Sequence, residues 1–136
     1  MGRYYNGDIE GKFWFAVQNS DDADNFGVYG EDVLDDEGNE TGYLSYHFET
    51  EHIPDIENGI KECLDVLGED KAKVDAFFEV DGPGYNGYND QMLMEYLGVE
   101  KERVREILEN YARLDLGKQI LECVKQNGSC GFEAEL

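Results

Sequence analysis

Apolar residues fall into two regimes along the chain: short alternating or continuous runs up to about residue 50, then recurrence every three or four residues from Ile53 onward. The first regime predicts strands and the second predicts helices. Residues 12–18 form a dense aromatic and aliphatic run, with Phe13, Phe15 and Val17 on one side and Trp14 and Ala16 on the other. That pattern predicts a strand covered at least partly on both faces. Asn19, Ser20, Asp21, Asp22, Asp24 and Asn25 break it, because such side chains hydrogen-bond nearby backbone and favour turns. A short strand is predicted over residues 26–29, and residues 35–42 read as a second acidic turn. Residues 43–49 then alternate, with Leu44, Tyr46 and Phe48 on one face and Tyr43, Ser45 and His47 on the other. An antiparallel meander is the simplest arrangement of these strands.

Pro54 suits a first helical position, Ile53, Ile56, Ile60, Leu64 and Leu67 supply an apolar stripe, and Gly68 is placed to end the helix. Residues 70–79 read as a short helix or a strand. Residues 81–89, with Gly82, Pro83, Gly84, Tyr85, Asn86, Gly87 and Tyr88, demand a loop. Asn89 can cap a helix over residues 90–97, Gly98 interrupts it, and Glu100 opens a second helix. Val104, Ile107, Leu108, Tyr111 and Leu114 mark this second helix, which continues through Gly117 to about Gln126 with Glu109 and Arg113 as an i,i+4 pair. The expected fold class is therefore α+β, an N-terminal antiparallel β meander packed with C-terminal helices. It forms one domain, mainly strands over 1–50 and mainly helices over 53–127.

Charge changes this picture most. The 136 residues carry 32 Asp and Glu against 11 Lys and Arg, a formal net charge of -21. Residues 1–60 hold 15 of the acids and only two bases, so the acidity is densest where turns are frequent. Such a field repels nucleic-acid phosphates and anionic membranes and attracts basic proteins. A 12% aromatic content, with nine Tyr, seven Phe and one Trp, separates the chain from disordered acidic tails, which are poor in aromatics. No apolar run reaches the length of a membrane span. Residues 1–11 lack the basic-then-apolar order of a signal peptide, and a cytoplasmic location is expected. Cys63, Cys123 and Cys130 are odd in number with no CxxC spacing, which fits reduced thiols better than a disulfide framework or a zinc site.

Catalytic chemistry is thinly represented. The glycines of 82–87 lack the GxxxxGK[ST] spacing and a nearby lysine, so they do not form a phosphate loop; Tyr85 and Tyr88 on that frame are candidates for a contact surface instead. His47 and His52 lie near Glu49 and Glu51 without the spacing of a metal site. The oxygen-rich turns at 21–24 and 35–40 do not follow the EF-hand order, since counting from Asp22 puts Val33 at the twelfth position. Weak divalent-cation binding is the most they imply, and no cofactor is expected. Leu93, Leu97, Gly98, Val99, Val104 and Ile107 resemble the helix-turn-helix pattern, although Met94 stands where that family usually has a small residue. A reading helix with Glu100, Lys101, Glu102, Arg103 and Glu106 would oppose phosphate contact, so no direct nucleic-acid binding is expected.

The opening GRYYNGDIEGKFWFAVQNSDDADNFG, residues 2–27, resembles small uncharacterised proteins of bacteriophages and large DNA viruses. The resemblance implies a viral context and no particular role. In that context acidity suits a protein that imitates DNA, presenting carboxylates in place of phosphates. The leading expectation is a non-enzymatic binding protein engaging a basic partner, in the manner of a DNA mimic or inhibitor. Asp21, Asp22, Asp24, Asp35, Asp36, Glu37, Tyr85 and Tyr88 are its candidate contacts. Mimicry further requires that the acidic turns, with Asp8 and Glu10, gather on one face. The alternatives are a structural or assembly subunit whose charge serves solubility, able to self-associate, and a small enzyme or divalent-cation-binding protein.

Overall fold

The computed structural model describes residues 3–14, 17–85 and 87–136. Two hairpins come first: β1 (Tyr4–Gly7) with β2 (Gly11–Lys12), and β3 (Glu31–Leu34) with β4 (Glu40–Glu49). Four helices follow, α1 (Ile53–Leu67), α2 (Asp70–Phe78), α3 (Asp90–Leu97) and α4 (Lys101–Asn127), and then β5 (Ser129–Glu135). The α+β class with an antiparallel sheet is as the sequence predicts. The strand order is β2-β1-β5-β4-β3, so the two hairpins are not direct neighbours, and β5 joins them by pairing with β1 and β4.

Alternation sets what each strand contributes. Tyr5, Tyr46, Phe48, Cys130, Phe132 and Ala134 are buried on one sheet face, against Ile56 of α1 and Leu116, Ile120 and Val124 of α4. Tyr46, Phe48 and Phe132 stack across β4 and β5, with ring centroids 5.2 to 6.3 Å apart. A second core involves helices alone, with Cys63, Leu67, Val74, Phe77, Leu93, Leu97, Val104, Ile107, Leu108 and Leu114. Ile60 packs against both. The 27 residues of α4 make a rod of roughly 40 Å. Its first half fills the helical core and its second half covers the sheet, so its buried residues change neighbours along its length.

Helix punctuation follows the sequence closely. Pro54 lies in the first turn of α1 and Gly68 ends it, and residues 70–78 are helical. Asn89 caps α3 by accepting from the Met92 N–H at 2.9 Å, and Gly98 and Gly128, both left-handed, end α3 and α4. Leu64 departs from its predicted stripe, being 38% exposed.

Three further expectations are corrected. The strand predicted over 12–18 stops at Lys12: Phe13 enters the sheet core while Trp14 and Val17 pack on the helical core. A flat strand could not serve both, and the chain turns, with Val17 N–H and Gln18 N–H bonded to the Trp14 carbonyl and Trp14 N–H to the Gln18 side chain. Phe15 and Ala16, which belong to the same prediction, lie outside the described residues. Residues 26–29 form no strand; Asp22–Phe26 is a 3-10 helix closed by left-handed Gly27. Arg113 turns inward to Asp22, 2.8 Å away, and not to Glu109.

The 3-10 helix fixes how α1 and α4 approach. Phe26 is fully buried, and a Cβ built on Gly59 of α1 or Gly117 of α4 would fall 2.6 or 2.5 Å from its ring. One aromatic side chain therefore occupies space that two helix-interior glycines leave open.

Candidate partner interface

The six predicted carboxylates have three different fates. Asp22 is only 5% exposed; it accepts from Arg113 Nε and, at 2.8 Å, from Gln18 Nε2. It ties the 3-10 helix to α4 and is unavailable to a partner. Asp24 is half-buried, its Oδ1 accepting from the Tyr46 hydroxyl at 2.6 Å and from Gly30 N–H at 3.0 Å. Asp21 is exposed. Asp35, Asp36 and Glu37 are all exposed, in the turn that joins β3 to β4. Asp35 organises that turn by accepting from the N–H groups of Asn39 and Glu37, each at 2.9 Å, and these bonds hold its carboxyl below the usual carboxylate range.

Strand register separates the acidic turns. Asp8, after β1, accepts from Gly131 N–H at 2.9 Å, near the start of β5. The turn at 35–39 lies beyond Glu40, and Tyr43 already pairs with Glu135 at the far end of β5. The length of β5 puts roughly 20 Å between the two ends of the sheet, and β2 and β3 are opposite edges. Asp8 and Glu10 are thus remote from Asp35, Asp36 and Glu37, and the eight carboxylates form no single cluster.

What the fold does gather is the β3 edge. Glu31 and Asp32 are exposed on this outermost strand, and Asp36 and Glu37 continue the charge at its end. Tyr29, 79% exposed, and Leu34, 55% exposed, flank the strand's acids. Sequence reasoning passed over Glu31, Asp32, Tyr29 and Leu34 because nothing local says which strand lies at an edge.

The two tyrosines of the glycine loop differ. Tyr85 is 53% exposed, whereas Tyr88 packs its ring on Phe78 at 5.1 Å, Phe77 at 6.2 Å and Trp14 at 6.5 Å. Together with Trp14, Phe78, Gly84 and Gly87 they line a recess of about 380 Å³. On its other side Trp14 borders a smaller cavity with Lys71, Asp75, Tyr111, Asp115 and Lys118, in which Tyr111 donates to Asp75 at 2.5 Å and Lys71 pairs with Asp75 at 2.7 Å.

The histidines do not converge. His47 contacts Glu49 at 3.2 Å on the open sheet face, while His52 Nδ1 accepts from Glu49 N–H at the start of α1. Among the described residues, no group of three His, Cys, Asp or Glu is arranged to hold a metal ion. The helix-turn-helix residues are packing residues: Leu93, Leu97, Val104 and Ile107 are buried in the helical core, and Val99 packs against it. Arg103, a candidate reader, instead donates to the Val66 carbonyl at 2.9 Å and to Asp70 at 3.1 Å, and pairs with Glu106. No helix among the described residues is long and apolar enough to cross a membrane.

Tyr46 and Tyr111 are both pushed above the ordinary tyrosine value, first by burial and then by the Asp24 and Asp75 carboxylates that accept from them. A group whose folded pKa is raised contributes its full stabilisation below the unfolded value, near pH 10, and loses it as pH rises toward the folded value. Stability is therefore expected to fall above about pH 10, and less steeply in a Tyr46→Phe, Tyr111→Phe variant. Urea titrations at neutral and alkaline pH measure this, and equal slopes in the two proteins would refute it.

Compared with family models, with curated proteins and with solved structures, the chain matches none.

Proposed function

We propose that this protein is a non-enzymatic binding protein whose acidic sheet edge engages a basic partner. The observation that carries the reading is β3, an outermost strand with Glu31 and Asp32 exposed, a carboxylate-rich turn at its end, and exposed Tyr29 and Leu34 beside it. An outer strand has unpaired backbone groups along one side, and an extended segment can add to it. Lysines or arginines on that segment would meet Glu31 and Asp32, while Tyr29 and Leu34 give apolar grip. The same charges oppose edge-to-edge pairing of two copies, which would set acid against acid.

On this reading one strand makes the contact, and the separation of Asp8 and Glu10 from the 35–37 turn does not favour a continuous imitation of a phosphate backbone. A viral context, proposed from the sequence of residues 2–27, makes basic nucleic-acid enzymes of a host the first partners to try. The test is capture from a candidate host lysate with three proteins: the native chain, an edge variant (Glu31→Gln, Asp32→Asn, Asp36→Asn, Glu37→Gln), and a control (Glu57→Gln, Glu62→Gln, Asp65→Asn, Glu102→Gln). The control removes the same charge from exposed helix positions. Recovery of a specific basic protein is expected to fall at least about tenfold in the edge variant, equivalent to about 1.4 kcal/mol, and to persist in the control. Equal losses in both would make the acidity a bulk property and refute the edge reading.

A further inference from the structure

Two of the three cysteines meet at the corner where α4 gives way to β5. Cys123 lies in the last turns of α4 and Cys130 is the second residue of β5; Gly128, left-handed, reverses the chain between them. Both belong to the buried cluster between sheet and helices. The Cys123 thiol donates at 3.5 Å to the carbonyl of Ser129, the residue next to Cys130, and Cys123 is close enough to help push the Cys130 thiol up. Cys123 also opens to a surface cavity of about 560 Å³ lined by Asp8, Ile9, Lys118, Gln119, Glu122, Gln126 and Asn127. The Asn127 amide approaches its sulfur at 3.6 Å. Cys63 is elsewhere, buried in the helix-only core, where burial pushes its thiol up to about 11.

We infer that Cys123 and Cys130 form a peroxide-responsive dithiol, in which Cys123 is the sulfur attacked first and Cys130 resolves it to an intramolecular disulfide. The cavity admits a small neutral oxidant such as hydrogen peroxide to Cys123. Its sulfur attacks the peroxide O–O bond, giving the sulfenic acid, and the departing hydroxide takes up the thiol proton to leave as water. The Cys130 sulfur then attacks the sulfenyl sulfur; the S–O bond breaks, and the departing hydroxide leaves as a second water with the Cys130 proton. Two thiols are oxidised by two electrons and one peroxide is reduced. Cys130 contributes contact, not acidity, since burial and the neighbouring Cys123 push its thiol well up. The product ties the end of α4 to the strand that joins both hairpins.

The experiment treats the native full chain with hydrogen peroxide, then alkylates remaining thiols in denaturant and digests with trypsin. Cleavage after Lys118 and Lys125 separates the cysteines, so the bond appears as peptide 119–125 joined to 126–136. The thiol count is expected to fall from three to one, the intact mass by two hydrogens, and Cys63 to stay alkylatable. A Cys63→Ser variant should cross-link as the native chain does, and Cys123→Ser should not. Retention of all three thiols, oxidation of Cys123 without linkage to Cys130, or linkage to Cys63 or a second chain would overturn the inference. The peptide map of the native chain decides this even if a cysteine variant fails to fold.

Discussion

Replacing Phe26 by alanine is expected to cost about 3–5 kcal/mol of stability, measured as a drop in the urea midpoint, among the largest effects of any single truncation in this core. The ring is fully buried and faces Gly59 and Gly117, which have no side chains to relax into the space it would vacate. The prediction has a second arm that separates wedge from ordinary core residue. Gly117→Ala alone should destabilise, because its new methyl carbon meets the Phe26 ring, and overpacking costs about 1–3 kcal/mol. In the Phe26→Ala background the ring is gone and only the Ile60 side chain, 3.1 Å from the new methyl carbon and free to move into the vacated space, remains near it, so alanine should instead help by up to about 1 kcal/mol through its better helix propensity. A reversal of sign between the two backgrounds is the signature; additive effects would show that Phe26 is not what keeps residue 117 a glycine.

Arg113→Ala is the second large effect, at about 3–5 kcal/mol, because it strands Asp22 inside the fold with the Gln18 amide as its remaining side-chain donor. Removing both charges together, as Asp22→Leu with Arg113→Met, should cost far less than Arg113→Ala alone, since no buried charge is then left unpaired. Thermal or urea unfolding of the two proteins compares them. If the double replacement is as damaging as the single one, the pair is needed for shape and not for its charge balance.

How far the sequence disclosed this fold depended on whether the deciding contact was local. The helices were legible because their starts and stops are written into the chain, in Pro54 and Gly68 for α1 and in Asn89 and Gly98 for α3, and because their apolar positions recur at helical spacing. The β3–β4 turn was legible because Asp35 bonds within four residues of itself. Asp22 was not, because one member of an acidic run looks like the others until Arg113, 91 positions away, selects it. The run at 12–18 misled for a related reason: its aromatics divide between two cores, a division only the assembled helices impose. The alternation of Cys130, Phe132 and Ala134 could have disclosed β5, but two of these three are small and the stretch follows a long helix.

The candidate interface was legible in part. Asp35, Asp36 and Glu37 were found as a turn, whereas Tyr85 and Tyr88, expected as contacts, line the aromatic recess of the glycine loop and not the β3 edge. That the turn prolongs an outer strand was hidden, because edge or centre is a property of the finished sheet. For the same reason nothing in the acidic run marked Asp24 as the acceptor for Tyr46.

Because β5 follows α4 in the chain and yet is the middle strand, the sheet cannot close until the chain beyond α4 has been made. Tyr5 must wait for Ala134 and Phe48 for Cys130, pairings that span 129 and 82 positions. Such distant contacts slow folding, since the chain loses its freedom before those contacts stabilise it. On the ribosome β1 and β4 each keep an open edge, with Tyr46 and Phe48 lacking their Phe132 partner, until the strand after α4 emerges. That nascent stage, more than the finished molecule with its acidic rim, is where misassembly and chaperone capture concentrate.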